Sequence, residues 1–172
     1  MNNTFKKVAL AIIISMPFFF NSCINVDDVP ERTAETEQQE LNEAIARLEK
    51  AKYDVDTTKL GIYYIMNKQG TGVFPQKGDT CNLIYTGFFL NGVIFDASID
   101  HYKDSIWQLI YKEVSLIPGF DDGIALLNKG AEADIIIPSK LAYGSLGTPG
   151  IPPYTPILFS LKMKDVRPTV KQ

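Results

Sequence analysis

From residue 60 onward the sequence is a succession of short β-type segments, and this succession constrains the fold more than any other feature. Residues 80–89 alternate in polarity with the period of a strand that buries one face. Asn91 and Gly92 follow between two apolar runs and predict a hairpin turn, because both residues tolerate positive φ. We predict strands at residues 61–67, 80–89, 93–95, 106–111, 114–117, 133–137 and 157–166.

One segment interrupts the β pattern with a helical period. Phe120 and Ile124 fall on one face of a helix predicted over residues 120–128, and the Pro118-Gly119 pair before it predicts a turn. A polar loop is predicted at residues 101–104. The pattern as a whole indicates a mainly antiparallel sheet with one short helix on its apolar face, which is an α+β architecture.

The N-terminal segment predicts an export signal. Residues 8–20 are nearly all apolar, and a run of this length fits the core of a secretory signal, about 7–15 residues, better than a bilayer span of about 20. The residues that end at Cys23 resemble the lipobox of bacterial lipoproteins, in which the cysteine is lipidated. We expect residues 1–22 to be a lipoprotein signal peptide and Cys23 to carry lipid. An ordinary cleaved signal with an incidental cysteine is the alternative.

The lipobox resemblance also implies a location. Ile24 follows the cysteine, whereas enterobacterial lipoproteins retained at the inner membrane have Asp there. The resemblance therefore implies a lipid-anchored protein of the cell envelope, held at the outer membrane, and makes the membrane a partner through the anchor.

Residues 23–56 predict a tether followed by a helical arm. Residues 24–33 lack apolar periodicity, and residues 31–52 predict a helix with a narrow apolar stripe that includes Leu41 and Leu48. This stripe could pack on the following domain, pair with a second copy of the chain, or line a mobile arm.

Composition excludes several classes of function. The net charge of −3 disfavours a protein whose main task is to bind phosphate backbones, so no nucleic-acid partner is expected. A single histidine, His101, excludes a multi-histidine metal site, and two cysteines exclude a disulfide-rich scaffold. The sequence contains no HExxH, GxSxG or phosphate-binding glycine loop. We therefore expect neither a cofactor nor a metal.

The residues that stand out are aromatic. Each one singly is an ordinary core residue, but several lie inside or beside predicted elements. Asp96 directly follows the strand residue Phe95, and an acid in that position either has a hydrogen-bonding role beside apolar groups or is a strand-end turn residue. The aromatic residues are Tyr85, Phe95, Trp107, Phe120, Tyr143 and Phe159.

The motifs around these residues resemble the FK506-binding (FKBP-type) family of peptidyl-prolyl isomerases. They are Tyr85-Thr86-Gly87, Phe95-Asp96-Ala97-Ser98, Ile117-Pro118-Gly119-Phe120, Ala142-Tyr143-Gly144 and Gly147-Thr148-Pro149-Gly150-Ile151-Pro152-Pro153. They occur in the family's order and cover roughly residues 60–167. The resemblance implies an isomerase domain at residues 57–172, with an antiparallel sheet of five or six strands curled around one short helix and a pocket between them.

The resemblance also implies a role for each site residue. The catalytic residues would be Tyr85, Phe95, Asp96, Ile117 and Tyr143, with Ile117 acting through its backbone N–H. The substrate-binding residues would be Trp107, Leu116, Phe120, Ile151 and Phe159. Phe120 would form the pocket floor, where the family commonly has tryptophan, so this chain departs from the family at that position.

The implied function is peptidyl-prolyl cis-trans isomerisation that assists the folding of exported proteins. Its partners would be proline-containing polypeptides, with a macrolide as a possible pocket ligand. An alternative is a peptide-binding or chaperone lipoprotein with little turnover, and the smaller Phe120 floor keeps this alternative open. A purely structural lipoprotein with an aromatic core is a third possibility.

Overall fold

The computed structural model describes residues 31–169. The predicted signal peptide and Cys23 lie outside the described residues. Three α-helices, one 3₁₀ turn and seven strands follow in chain order within the described part. They are α1 (Ala34–Lys50), β1 (Asp56–Thr57), β2 (Tyr63–Lys68), β3 (Thr80–Phe89), β4 (Ile94–Ala97), α2 (Ser98–His101), β5 (Trp107–Ile110), α3 (Pro118–Ala125), β6 (Glu132–Ile137), the 3₁₀ turn Ser139–Leu141 and β7 (Ile157–Arg167).

The strands form one antiparallel sheet. Six strands follow the order β1-β2-β6-β7-β3-β4, and β5 pairs with β3 beside them. The long strand β3 therefore joins the two parts of the sheet, since it pairs with β7, β4 and β5. The α+β prediction is confirmed. The two-residue edge strand β1 was not predicted, because so short a segment carries no periodic signal.

Helix α3 packs on the inner face of the sheet. Its buried residues Phe120 and Ile124 join a core with the inward-facing residues of β6, β7 and β3. Gly119 and Gly123 let the helix approach β6 closely. A Cβ atom at Gly119 would lie 2.2 Å from Ile137 Cγ2, and one at Gly123 would lie 2.4 Å from Ile135 Cδ1.

Helix α1 packs on the opposite, outer face of the sheet. Leu41 and Leu48 are buried in a second apolar cluster with Ile65, Ile136 and Leu158. Thr33 begins the helix as an N-cap, with its hydroxyl accepting from the N–H of Thr36. The apolar stripe was predicted to pack on the following domain, to pair with a second copy, or to line a mobile arm. In the structure it packs on the domain. Between residues 31 and 169, no helix has the length and apolarity needed to cross a membrane.

Two sequence predictions need correction. Residues 114–117 were predicted as a strand, and this was wrong: the chain turns after β5, with Lys112 at a φ of 59° and Glu113 N–H donating to Ile110 O. The predicted polar loop at residues 101–104 was partly wrong, since His101 ends the short helix α2. Both segments are too short for their periodicity to separate strand, helix and turn.

The hairpin prediction at Asn91 and Gly92 is confirmed. Gly92 has a φ of 85°, and its N–H donates to Phe89 O while Val93 O accepts from Phe89 N–H. The helix predicted over residues 120–128 begins earlier, because Pro118 occupies its first turn, and ends at Ala125.

Outside the apolar clusters, the sheet also buries the carboxylate of Asp134. Asp134 on β6 is 3% exposed and accepts hydrogen bonds from Asn67 Nδ2 and Ser160 Oγ. Burial raises the pKa of this carboxyl, although the two hydrogen bonds oppose the change. The charged form of Asp134 is therefore less favourable in the folded chain than in the unfolded chain.

The raised pKa of Asp134 predicts a specific pH dependence of stability. The contribution of Asp134 to the free energy of unfolding is fully present below the unfolded-state pKa of about 3.9. It is lost as the pH rises through the higher folded-state pKa. Asp134→Asn should therefore gain free energy of unfolding relative to the wild type as the pH rises above about 4. Urea titrations measure this difference. The control Asp165→Asn should show no pH-dependent change above about pH 4, because the hydrogen bond from Lys129 lowers the pKa of Asp165 and places its effect below the unfolded-state pKa of about 3.9. A constant difference for Asp134→Asn would contradict the account.

Candidate functional site

A cluster of aromatic rings lies between α3 and the inner face of the sheet. The Phe120 ring of α3 lies 4.8 Å from the Phe159 ring, 5.9 Å from Tyr85 and 6.1 Å from Trp107, measured between centroids. The pair with Phe159 meets edge to face at 83°, a geometry that aromatic quadrupoles favour. Phe120 thus packs against three other rings of the cluster, and its role as the pocket floor stays a prediction.

Strand pairing brings the other rings to this place. Tyr85 lies on β3 and Phe159 on the adjacent β7, while Phe95 lies on β4 on the other side of β3. The rings of Phe95 and Phe159 lie 5.5 Å apart and meet over Gly87. A Cβ atom at Gly87 would lie 2.7 Å from both rings, so a glycine is needed there. Gly87 belongs to one of the sequence motifs, but no local signal in the sequence indicates this packing role.

Asp96 provides the polar part of the site. Its Oδ2 accepts from the Tyr85 hydroxyl at 3.1 Å, and its Oδ1 lies 2.7 Å from His101 Nε2. The carboxylate therefore has two partners and is only partly buried. The contact with His101 was missed, because a lone histidine in a predicted loop gives no signal of its partner.

Both tyrosine hydroxyls of the site stay protonated at neutral pH. Burial raises the pKa of Tyr85, and the nearby charge of Asp96 raises it further. Burial and the Asp96 charge also raise the pKa of Tyr143. Both residues can therefore donate a hydrogen bond to a carbonyl group. Among residues 31–169, the Tyr143 hydroxyl has no hydrogen-bond partner.

A backbone donor lies at the start of α3. Ile117 is the N-cap residue, with extended dihedral angles (φ −62°, ψ 140°), and its carbonyl accepts from the N–H groups of Phe120 and Asp121. Its own N–H donates to no acceptor within the described part of the chain. The side chains of Ile117 and Leu116 are half-buried against the core. This segment thus offers an apolar wall and an unused donor.

The long connection between β6 and β7, residues 138–156, completes the site, and we call it the β6–β7 loop. It carries Tyr143, which is half-buried against the aromatic core, and Ile151, which is 6% exposed. Hydrogen bonds between Thr148 and Ile151 close a tight turn near its tip. Gly147 directly precedes this turn with a φ of 65°, and a Cβ atom there would lie 2.4 Å from Ile151 O.

The site consists of aromatic rings, one carboxylate and hydrogen-bond donors. Within residues 31–169, no three His, Cys, Asp or Glu side chains converge as metal ligands would. The thiol of Cys81 is fully buried, and burial raises its pKa to about 11. What the arrangement can do is bind an apolar group against rings and offer hydrogen bonds to a peptide backbone.

All ten predicted site residues lie around the same apolar core. Six are aromatic, one is the carboxylate Asp96, and the other three come from the segment before α3 and from the β6–β7 loop. They are Tyr85, Phe95, Asp96, Trp107, Leu116, Ile117, Phe120, Tyr143, Ile151 and Phe159. Tyr102 is an addition, since its ring stacks on Trp107 at 6.5 Å and 14°.

This fold and this set of residues define a class of protein. A sequence profile of the FKBP-type peptidyl-prolyl cis-trans isomerase family matches residues 72–164, which is more than half of the chain. The chain belongs to this family.

Individual relatives agree with the family assignment. The FKBP-type isomerase FkpA of Escherichia coli strain K12 is 33% identical over 68% of this chain and 42% of that protein. A probable FKBP-type isomerase of Haemophilus influenzae is 32% identical over 80% of this chain and 56% of that protein. The chain thus spans about half the length of these curated relatives.

Solved structures show the same fold. The crystal structure of FkpA from Escherichia coli superposes with a TM-score of 0.63 and 29% identity, covering 78% of this chain and 62% of that one. A peptidyl-prolyl isomerase from Pseudomonas syringae superposes with a TM-score of 0.64 and 25% identity, covering 86% of this chain and all of that one.

Proposed function

We propose that this protein is a peptidyl-prolyl cis-trans isomerase that acts on proline-containing polypeptides folding outside the cytoplasm. The observation that carries the proposal is the meeting of the Phe120, Tyr85 and Phe159 rings with the Asp96 carboxylate and the unused Ile117 N–H. Family membership supports the same reaction.

An apolar site suits this reaction because no bond is made or broken. Twisting an X–Pro bond breaks amide resonance against a barrier of about 18–20 kcal/mol. A catalyst needs only to bind the twisted amide better than the planar forms. Loss of resonance reduces the charge separation across the amide, so a site with little water favours the twisted form relative to the planar one. Every 1.36 kcal/mol of preferential binding gives about tenfold in rate.

Each site residue has its own role in binding the X–Pro segment. Phe120 forms the floor under the prolyl ring, and Tyr85 and Phe159 form walls around it. The Ile117 N–H meets a substrate carbonyl, and the Tyr143 hydroxyl donates to the substrate backbone. Asp96 gives a polar contact near the rotating amide and fixes the Tyr85 hydroxyl through their 3.1 Å hydrogen bond.

A protease-coupled assay on an X–Pro peptide tests the proposal. We expect the protein to increase the rate of cis-to-trans conversion above background, and a macrolide that fills the pocket to inhibit it and to raise the melting temperature. A rate equal to background together with measurable peptide binding would favour the peptide-binding alternative, for which the Phe120 floor is the specific observation. Failure to bind either peptide or macrolide would contradict both.

We further propose that Cys23 is lipidated and anchors the protein in the cell envelope, at the outer membrane. Support comes from the apolar run at residues 8–20 and from the lipobox resemblance. Each methylene group that enters the bilayer contributes roughly 0.8 kcal/mol, so several acyl chains would hold the protein at the membrane.

Palmitate labelling in the producing bacterium tests the anchor. We expect the wild type to be labelled and Cys23→Ala to lose the label. Cys81→Ala is the matched control and should keep the label, since the Cys81 thiol is fully buried. Undiminished labelling of Cys23→Ala would exclude Cys23 as the lipidation site.

A further inference from the structure

Helix α1 holds the β6–β7 loop at one point through a buried carboxylate. Both carboxylate oxygens of Glu37 accept hydrogen bonds from Ser139, one from the backbone N–H and one from the hydroxyl, each at 2.5 Å. Glu37 is 7% exposed and Ser139 is 3% exposed. A carboxylate withdrawn from water in this way is stabilised by these two donors, so the contact fixes the start of the loop to the helix.

The segment directly before α1 holds the far end of the loop through a cation. Arg32 donates from Nε to Pro153 O at 3.2 Å and from Nη2 to Tyr154 O at 3.0 Å. Its guanidinium group is itself fixed by Glu40, which accepts from Nη1 at 2.9 Å and from Nη2 at 2.6 Å. This two-bond pairing orients the planar fork of the arginine toward the loop carbonyls.

Backbone hydrogen bonds connect these two points through the site. Gly144 N–H donates to Ser139 O at 2.8 Å, and Tyr154 N–H donates to Gly144 O at 3.0 Å. Tyr143, which offers its hydroxyl to the site, directly precedes Gly144. Tyr154 adopts a left-handed φ of 49°, a conformation that a tyrosine rarely adopts unless surrounding contacts hold it there. The chain of contacts therefore runs from Glu37 through the residue beside Tyr143 to Arg32.

We propose that Glu37 and Arg32 are positioning residues, which hold the β6–β7 loop so that the Tyr143 hydroxyl faces the substrate backbone. Helix α1, predicted as a helical arm that follows a tether, therefore contributes to the isomerase site. Two measurements test this proposal. The measurement of kcat/KM rests on the proposed function, whereas the measurement of hydrogen exchange does not.

The first test is Arg32→Ala in the full chain. Arg32 lies at the edge of the fold, so we expect this variant to remain folded. We expect kcat/KM for an X–Pro peptide to fall about fivefold, since small misplacements of a substrate-positioning group have large effects on rate. We expect the loss to be mainly in KM if Tyr143 binds ground and transition states equally, and in kcat if it binds the twisted amide preferentially. Lys50→Ala removes a cation from the last turn of α1 and should leave kcat/KM unchanged.

Hydrogen exchange of single amides provides the structural readout. The N–H groups of Gly144 and Tyr154 should exchange about tenfold faster in Arg32→Ala, because the loop opens locally more often. Amides of β3 and β7 should be unchanged, which separates a loosened loop from a general loss of stability. Arg32→Lys keeps the charge but not the planar fork, so it should give an intermediate effect.

Glu37→Gln tests the other point of contact. The glutamine carbonyl can still accept from the Ser139 N–H, and its NH₂ can donate to Ser139 Oγ, but both hydrogen bonds lose the carboxylate charge that strengthens them, so both activity and protection should fall. Glu43→Gln is the matched control on the exposed face of α1. If Glu37→Gln fails to fold, Arg32→Ala decides the outcome.

The two possible failures are distinguishable. Unchanged exchange at Gly144 and Tyr154 in Arg32→Ala would overturn the positioning role whatever the activity. Faster exchange with unchanged kcat/KM would also overturn it, since the loop would then be held without any effect on the site. A wild-type protein without turnover contradicts the proposed function, and the exchange result still decides whether α1 holds the loop.

Discussion

Asp96→Ala should lower kcat/KM for an X–Pro peptide by at least about tenfold, which corresponds to about 1.4 kcal/mol of transition-state stabilisation. The change removes the carboxylate beside the rotating amide and frees the Tyr85 hydroxyl from its 3.1 Å hydrogen bond. The protein should still fold, because Asp96 is partly exposed and water can reach its former partner His101. Enzyme kinetics and thermal unfolding on the same sample measure both effects.

Two variants control for the carboxylate. Asp96→Asn keeps an oxygen that can accept from Tyr85 but removes the charge, so it separates the role of orientation from that of charge. Asp100→Ala removes a carboxylate from the neighbouring helix α2 and should leave kcat/KM unchanged. Loss of the folded state in Asp96→Ala would show that this residue acts structurally. Phe95→Ala should likewise reduce turnover without unfolding the chain, because its ring packs at the half-buried edge of the cluster.

Gly119→Ala should lower the free energy of unfolding by about 3 kcal/mol, at the upper end of overpacking effects. The added Cβ atom would lie 2.2 Å from Ile137 Cγ2 and 3.2 Å from Ile62 Cγ2, and both of these are methyl groups on branched, buried side chains. Alanine is intrinsically better than glycine in a helix by only about 1 kcal/mol, so the steric cost dominates. The melting temperature should fall by roughly 10 °C.

A double-mutant cycle tests the steric cause. Ile137→Ala removes the atom that the new Cβ would meet, so Gly119→Ala should cost much less in that background than in the wild type. Urea titrations of the four proteins give the coupling free energy. Additive costs would mean that the close approach of α3 to β6 is not what requires glycine at position 119.

Several features could be predicted from residue patterns because their signals are local. The alternation in residues 80–89 and the Asn91-Gly92 turn specify a strand and a hairpin from neighbouring residues alone. The aromatic site is not local, since Tyr85 and Phe159 are far apart in the chain and meet only through strand pairing. The resemblance to the family's motifs predicted that these residues share one site. Periodicity alone predicted only the strands and the helix on which they lie.

The features that were missed depend on tertiary contacts. Nothing in the helical stripe of α1 indicates that Glu37 would be buried against Ser139, because a glutamate in the first turn also suits a solvated helix terminus. The segment at residues 114–117 has the apolar character of a strand but leaves the sheet to begin α3. The apolar residues Leu116 and Ile117 pack against the core without pairing with a strand. Their burial therefore explains an apolar run that resembles a strand in the sequence.

Exchange spectroscopy on a peptide with one X–Pro bond tests the central claim most directly, because it observes both isomers at equilibrium. Without catalyst, the two isomers exchange over tens to hundreds of seconds. The account predicts that a small molar fraction of this protein brings the exchange into the seconds range or faster, and that Asp96→Ala largely abolishes the increase. A peptide that binds at the Phe120 rings while its exchange rate stays at the uncatalysed value would contradict the account.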